Sequence, residues 1–318
     1  MKWNKLGLVF NPKAHPLAED FFGYAQSPQT LEFPDCVRVY FSTRKQEANK
    51  QFISVIQYAD FDKRFSQVLR TSTHTVLPPA KLGTFDEHGI FPINICAHDQ
   101  RILGYTTGWT RRSSVSVDTG IGVVESKDQG HTFERLDDGP VLTASLHEPF
   151  LVCDAFVRHF NKQFHMFYIY GTRWKVYQTG EQPERTYVIG HAVSHNGIDW
   201  KKSNRALIEQ TDPDECQALP TVIEIQGRYH MLFCYRKAYN FRSNAHNGYR
   251  IGYAYSDDLI TWHRDDSKAG LMPTPGQWDS DMMCYPHLCR LNESIFVLYN
   301  GNEFGRHGFG VAQLIQVD

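Results

Sequence analysis

The chain lacks the long apolar runs that mark signal peptides and membrane-spanning segments. Its start, from Met1 to Phe10, contains no such run, and no later segment approaches one. A strong excess of one charge is also missing, because 33 Lys and Arg face 35 Asp and Glu and leave a net charge of −2. We therefore expect a cytoplasmic protein that binds neither nucleic acid nor a membrane, and its oligomeric state stays open.

Paired cysteines are missing as well. The seven cysteines are odd in number, are spread along the chain and include no CxxC pair, which argues against a disulfide framework or a zinc cluster. Long helical patterns are few, whereas aromatic residues make up 14% of the chain, as suits a β fold. We expect the cysteines to be buried thiols within strands.

One short pattern recurs along the chain. Ile121 begins an alternating strand of the form Ile-Gly-x-Ala/Val-x-Ser, followed by a polar turn and an aromatic residue, and Ile189 and Ile251 begin two further copies. The copies start 68 and 62 residues apart, and weaker relatives occur near Ile53 and from Phe309 to Ile315. Five repeats of this length predict an all-β, five-bladed β-propeller with four-stranded blades around a central channel, forming a single domain over residues 1–318.

A shorter segment and an aromatic-rich strand precede each repeat. Four of the five short segments contain a proline, which cannot donate a hydrogen bond to a strand ladder and therefore suits the innermost strand of a blade. These prolines are Pro28, Pro92, Pro220 and Pro286. We expect the N-terminal segment and the last strand to close the ring together.

Acidic residues recur just before or within the predicted inner strands. In a propeller these positions meet at one mouth of the channel, where neighbouring carboxylates would repel each other and separate their pKa values. The acidic residues are Asp86 and Glu87, Glu148 and Asp154, Asp214 and Glu215, and Asp279 and Asp281. Any single one is more often a solvated loop charge, but their recurrence predicts that Asp86, Asp154, Glu215 and Asp279 surround one pocket.

Aromatic, amide and guanidinium groups are predicted at the same end of the channel. Trp109 and Tyr285 offer flat faces on which a sugar ring could stack, while Arg236, Asn300 and Asn302 offer donors for hydroxyl or carboxylate groups. Each of these alone is more often a packing residue. Together they favour a carbohydrate ligand.

Several motifs resemble those of the five-bladed propeller glycosidases related to arabinanases, xylosidases and invertases, in particular uncharacterised members. They are Phe85-Asp86-x-x-Gly89, the Ile-Gly-x-Ala-x-Ser turns, the segment from Trp278 to Pro286, and the segment from Tyr299 to Asn302. The resemblance implies a glycoside hydrolase in which a blade-1 Asp is base or nucleophile, a blade-3 Asp tunes the pKa values and a blade-4 Glu is the general acid.

Carried over by position, the resemblance makes Glu215, followed by Cys216, the acid with a raised pKa, and Asp154 its ionised neighbour. Blade 1 departs from the pattern, because Asn11-Pro12 and Gln26 stand where an aspartate is expected and an amide cannot take a proton. Asp86 is then the leading candidate for the base.

Three functions therefore remain open: a glycoside hydrolase, a phosphorylase or transfer enzyme on the same scaffold, and a noncatalytic sugar-binding propeller. In a phosphorylase one acid suffices, and Arg44, Arg236 and His307 could hold the phosphate. No cofactor is expected; some relatives hold a channel cation, but we expect His287 and His230 to be structural. The predicted substrate-binding residues are Gln26, Arg44, Trp109, Glu148, Arg236, Asp279, Tyr285, Asn300, Asn302 and His307.

Overall fold

The strands form five antiparallel sheets of four strands each. A computed structural model describes residues 1–17 and 21–317 of the protein. The innermost strands contact one another in a closed ring, which confirms the five-bladed propeller. These inner strands are β2 (Gln26–Glu32), β6 (Ile90–His98), β10 (Val152–Phe160), β14 (Glu215–Ile225) and β18 (Cys284–Leu291).

The other strands follow outward in each blade. The second strands are β3 (Val37–Gln46), β7 (Arg101–Arg111), β11 (Gln163–Lys175), β15 (Arg228–Lys237) and β19 (Ser294–Asn300). The third strands are β4 (Phe52–Phe61), β8 (Val117–Ser126), β12 (Glu184–Ser194), β16 (Arg250–Ser256) and β20 (Phe309–Gln316). The outer strands are β5 (Val68–Thr71), β9 (Glu134–Arg135), β13 (Lys201–Lys202), β17 (His263–Arg264) and β1 (Lys2–Phe10). One short helix, α1 (Asn302–Gly305), follows β19, and 3₁₀ turns occupy Pro12–Ala14, Ala245–Asn247 and Asp266–Lys268.

Both ends of the chain contribute to blade 5. The N-terminal strand β1 pairs antiparallel with β20 and is the outermost strand of that blade. The amino group of Met1 donates a hydrogen bond of 2.8 Å to the Lys268 carbonyl. The ring is therefore closed by the N-terminal segment together with the last strand, as the sequence predicted.

The recurring turns connect each blade to its neighbour. In the first copy the Ser126 hydroxyl accepts the Gly130 N–H at 2.7 Å, and Asp128 accepts the backbone and hydroxyl of Thr132 at 2.8 and 2.6 Å. The Gly130 carbonyl then accepts the Tyr40 hydroxyl of blade 1 at 2.6 Å. The polar groups of this turn therefore stabilise the fold, because they shape the turn and hold it against the neighbouring blade.

Each inner strand carries an irregularity at the same place. The pairing register shifts once in β2, β6, β10, β14 and β18. In four of these strands the residue at the shift has a positive φ: Ser27, Asp154, Leu219 and Tyr285. The prolines of the inner segments lie within these bulges, where the backbone N–H need not donate a hydrogen bond to the neighbouring strand. They are Pro28, Pro92, Pro220 and Pro286. A bulge turns its side chain out of the regular alternation, and this sets which residues face the channel mouth.

Candidate functional site

A cavity of about 420 Å³ lies where the inner strands begin. All five blades contribute to its wall, and aromatic rings predominate among the larger side chains. The bulge residues Phe91, Asp154 and Tyr285 line it. Six of the predicted site residues come together here: Gln26, Arg44, Trp109, Asp154, Arg236 and Tyr285.

Asp154 is the carboxylate of this cavity, and no other carboxylate lines it among residues 1–17 and 21–317. Its side chain is 7% exposed, and its backbone N–H donates to the Thr107 hydroxyl at 2.7 Å. Burial raises the pKa of Asp154 to about 7, although a hydrogen bond from the Leu219 backbone and the charge of Arg185 act in the opposite direction. The sequence predicts that Asp154 stays ionised; with this pKa it is about half protonated at neutral pH, so it can also act as a proton donor.

Four guanidinium groups also line the cavity. Arg185 and Arg242 approach Glu184 at 4.0 and 3.3 Å. Arg44 lies over the ring of Tyr24, 4.0 Å from its centroid, and Arg236 lies 3.5 Å from the centroid of Phe241. The wall is thus positively charged and aromatic, which suits a sugar or another ligand with flat apolar faces and acceptor groups.

Glu215 does not line the cavity, and the prediction of a raised pKa is wrong. Its carboxylate receives hydrogen bonds from Arg264 at 2.7 Å, Thr211 at 2.5 Å and Gln217 at 3.0 Å. Burial alone would raise its pKa, but these donors and the Arg264 charge hold it below the ordinary value. The bulge position of blade 4, which corresponds to Asp154, is occupied by Leu219.

Four other acidic residues near the starts of the inner strands form ion pairs within their own blades and do not line the cavity. Asp86 pairs with Arg135 of β9 at 2.7 Å. Glu148 pairs with Lys202 of β13 at 2.5 Å, and its other oxygen accepts the Tyr168 hydroxyl at 2.7 Å. All of these carboxylates are buried, at 2% exposure or less.

The same pairing continues in the last two blades. Glu215 binds Arg264 of β17, and Asp279 binds Lys5 of β1 at 2.7 Å. In blades 2 to 5, an acid at the entrance of the inner strand thus anchors a cation on the outermost strand of its own blade. The prediction of Asp86, Asp154, Glu215 and Asp279 around one pocket is therefore wrong, because only Asp154 faces the cavity.

The three remaining predicted residues lie elsewhere. Asn300 is buried and joins blade 5 to blade 1, since its amide donates to the Ala25 carbonyl at 2.8 Å and accepts the Ser27 N–H at 2.8 Å. Asn302 and His307 line a second cavity of about 480 Å³, which shares part of its wall with the first. In this second cavity His307 lies 3.2 Å from Glu303.

Sequence reasoning missed other residues of the wall. Thr119, Tyr187 and Tyr249 line the cavity, and each lies two residues before the Ile-Gly pair of its repeat. That regular position was a signal that could have found them. Phe241 comes from a loop and Phe304 from the short helix α1, and neither position offered such a signal.

The histidines considered for a cation have protein partners. The His287 Nε2 accepts the Thr30 N–H at 3.1 Å, and the His230 Nδ1 lies 2.8 Å from the Tyr253 hydroxyl. Across the described ranges there is no cluster of three His, Cys, Asp or Glu side chains that could hold a metal ion. Within the same ranges, no helix is long and apolar enough to cross a membrane.

Comparison with known proteins identifies relatives along the whole chain. No family model matches the sequence. "Uncharacterized protein MT1551" of Mycobacterium tuberculosis is 32% identical over 322 residues, which cover 99% of each chain. "Beta-1,2-mannobiose phosphorylase" of Thermoanaerobacter sp. is 29% identical over 137 residues, which cover 40% of this chain and 43% of that protein.

Solved structures share the fold at low sequence identity. A "Glycoside hydrolase" superposes with a TM-score of 0.74 at 16% identity and covers 98% of this chain and 92% of its own. A β-1,2-mannobiose phosphorylase from Listeria innocua, solved with β-1,2-mannobiose, superposes with a TM-score of 0.67 at 12% identity and covers 99% and 97%. The chain thus belongs to the family of the Mycobacterium tuberculosis protein MT1551, and its five-bladed β-propeller has glycoside hydrolases as structural neighbours.

Proposed function

We propose that the protein acts on glycosidic bonds and that Asp154 is its proton donor. The observation that carries the proposal is a buried carboxyl group with a pKa of about 7, placed in an aromatic cavity at the channel mouth. A carboxylic acid that is about half protonated at neutral pH can give its proton to a leaving oxygen. Glycoside hydrolases and a mannobiose phosphorylase among the structural neighbours support this class of reaction.

The wall of the cavity suggests how the substrate would be oriented. Trp109 and Tyr285 present aromatic faces against which a pyranose ring can stack. After proton transfer, the Leu219 backbone and Arg185 would stabilise the Asp154 carboxylate, since both favour its charged form. Asp154 would thus act as a general acid in bond cleavage and as a general base in the reverse direction.

A phosphorylase or transfer enzyme is the second candidate. Glycoside hydrolases ordinarily use two carboxyl groups that flank the bond, whereas Asp154 stands alone in this cavity among the described residues. When phosphate is the attacking group no base is needed to activate water, so one acid suffices. The partial match to a β-1,2-mannobiose phosphorylase favours the same reading.

The test compares wild type with Asp154→Asn on aryl glycosides and on β-1,2-mannobiose, with and without inorganic phosphate. Loss of general-acid catalysis is expected to lower turnover about 10²–10⁴-fold on substrates with poor leaving groups. Asp257→Asn is the matched control, since its carboxyl is 66% exposed and pairs with Arg228. Phosphate-dependent turnover would select the phosphorylase. Sugar binding without turnover in wild type would contradict the enzyme and leave a binding propeller.

A cytoplasmic location is part of the same proposal. All seven cysteines are buried and unpaired, as is common for proteins kept in a reducing compartment. Fractionation of cells that express the protein, followed by detection with an antibody, would test it. Recovery in the culture medium or the periplasm would contradict it.

A further inference from the structure

Arg236 brings a buried positive charge to the cavity wall. Its side chain is 4% exposed, and its Nη1 and Nη2 atoms donate to the Lys237 carbonyl at 2.7 Å and the Tyr187 hydroxyl at 3.0 Å. Its Nε atom is buried without a hydrogen-bond partner. Among residues 1–17 and 21–317, no carboxylate forms an ion pair with this guanidinium.

The neighbours of Arg236 do not neutralise its charge. Burial raises the pKa values of the Tyr187 and Tyr249 hydroxyls and of the Cys216 thiol, so all three are neutral at pH 7. An arginine side chain keeps its proton under the same conditions. Arg38, the other arginine that is buried among the described residues, is matched, because it pairs with Asp60 at 2.7 Å. A buried charge without an ion-pair partner destabilises the fold. The presence of one at Arg236 therefore indicates that its partner is a group outside the folded chain, such as a ligand.

The geometry of Arg236 is already fixed for such a partner. The guanidinium lies against the Phe241 ring, 3.5 Å from the centroid, and its Nη atoms are held by Lys237 and Tyr187. The unpartnered Nε belongs to the planar fork of donors with which arginine binds phosphate and carboxylate groups. The group is thus held in position and needs little reordering on binding.

We propose that Arg236 anchors an oxyanion, a phosphate or carboxylate group, that belongs to the ligand of this cavity, so that the substrate class is an anionic sugar or a sugar with free phosphate. The inference rests on the proposed function only for the sugar part of the ligand. Anion binding itself is measurable without turnover. Loss of turnover in Asp154→Asn with anion binding retained would separate the two proposals.

The test measures binding of inorganic phosphate, glucose 1-phosphate, glucuronate and neutral methyl glucoside to the whole protein by isothermal titration calorimetry. Arg236→Gln is expected to weaken oxyanion binding about ten- to a hundredfold, as for loss of charge-assisted hydrogen bonds. Arg228→Gln is the matched control, because Arg228 begins the same strand and pairs with the exposed Asp257. Binding of phosphate alone would identify free phosphate as the anion, and binding of the charged sugars would identify an anionic sugar.

Thermal unfolding gives a second measurement, which distinguishes anion binding by Arg236 from a purely structural role of its side chain. Arg236→Met removes the charge while keeping much of the side-chain volume, so the ligand-free variant is expected to melt no lower than wild type while losing the rise in melting temperature with phosphate. A wild-type protein that binds none of the oxyanions at millimolar concentration would overturn the proposal. Equal oxyanion affinity of wild type and Arg236→Gln would overturn it as well.

Discussion

Replacing Asp154 by asparagine tests the chemistry of the cavity with little disturbance of its backbone. Asp154 has a φ of 56°, in the left-handed region that asparagine adopts more readily than most residues. The side chains have nearly the same shape, so the substitution mainly removes an ionisable proton. An alanine at this position would add backbone strain and confuse the result.

The size of the expected change in stability follows from the pKa of Asp154. The folded-state value of about 7 lies above the ordinary 3.8, and the difference corresponds to about 4 kcal/mol between the two protonation states. Because the folded pKa is raised, the folded state favours protonated Asp154 relative to the unfolded state. The free energy of unfolding that this contributes is fully present below pH 3.8 and is lost as the pH rises through about 7. We expect Asp154→Asn to gain stability relative to wild type as the pH rises, by up to about 4 kcal/mol at pH 8.

The assay is urea unfolding of both proteins at several pH values from about 4 to about 9, with turnover measured in the same buffers. Wild-type turnover should fall about tenfold per pH unit well above pH 7, because the acid form of Asp154 is lost. Asp257→Asn serves as the control for removing a carboxylate at the surface. A stability difference between Asp154→Asn and wild type that does not change with pH would refute the raised pKa, and unchanged turnover at pH 6 would refute the catalytic role.

Three further predictions concern the scaffold. Glu215→Gln should lose about 1.5–3 kcal/mol in denaturant unfolding, because it weakens the charge-assisted hydrogen bonds from Arg264, which keeps its ion pair with Asp266. We expect little effect on turnover of the folded fraction, and a folded variant without turnover would restore Glu215 as the acid. Gly308→Ala should lower the melting temperature, because a Cβ there would lie 1.7 Å from the Phe10 carbonyl oxygen at a φ of 106°. Gly139→Ala is the control, since a Cβ at Gly139 meets nothing within 4 Å. Equal melting temperatures of the two variants would contradict the ring closure described. Burial lowers the pKa of His191 to about 4, so its stabilising effect is present above pH 6.5 and is lost as the pH falls toward 4, by about 3 kcal/mol. His191→Gln should therefore unfold less steeply with acid, and an unchanged acid dependence would count against this assignment.

The sequence alone determined the architecture because strand period and turn chemistry are local properties. The alternation after Ile121, Ile189 and Ile251 placed the third strands of blades 2 to 4, and the spacing of the copies indicated five blades. Proline in four inner segments indicated positions without a ladder donor, and the structure places a bulge there. These signals need no knowledge of distant partners.

The role of each carboxylate was decided only by the tertiary structure. An acid at the entrance of an inner strand fits catalysis and fits an anchor for the outer strand equally well, and the difference lies in its partner. Asp86 meets Arg135 from 49 positions away, and Asp279 meets Lys5 from 274 positions away. Asp154 lies at a bulge and faces the cavity, so burial raises its pKa instead of an ion pair lowering it. A pKa depends on desolvation and on neighbouring charges, which are set by packing between blades and cannot be obtained from spacing along the chain.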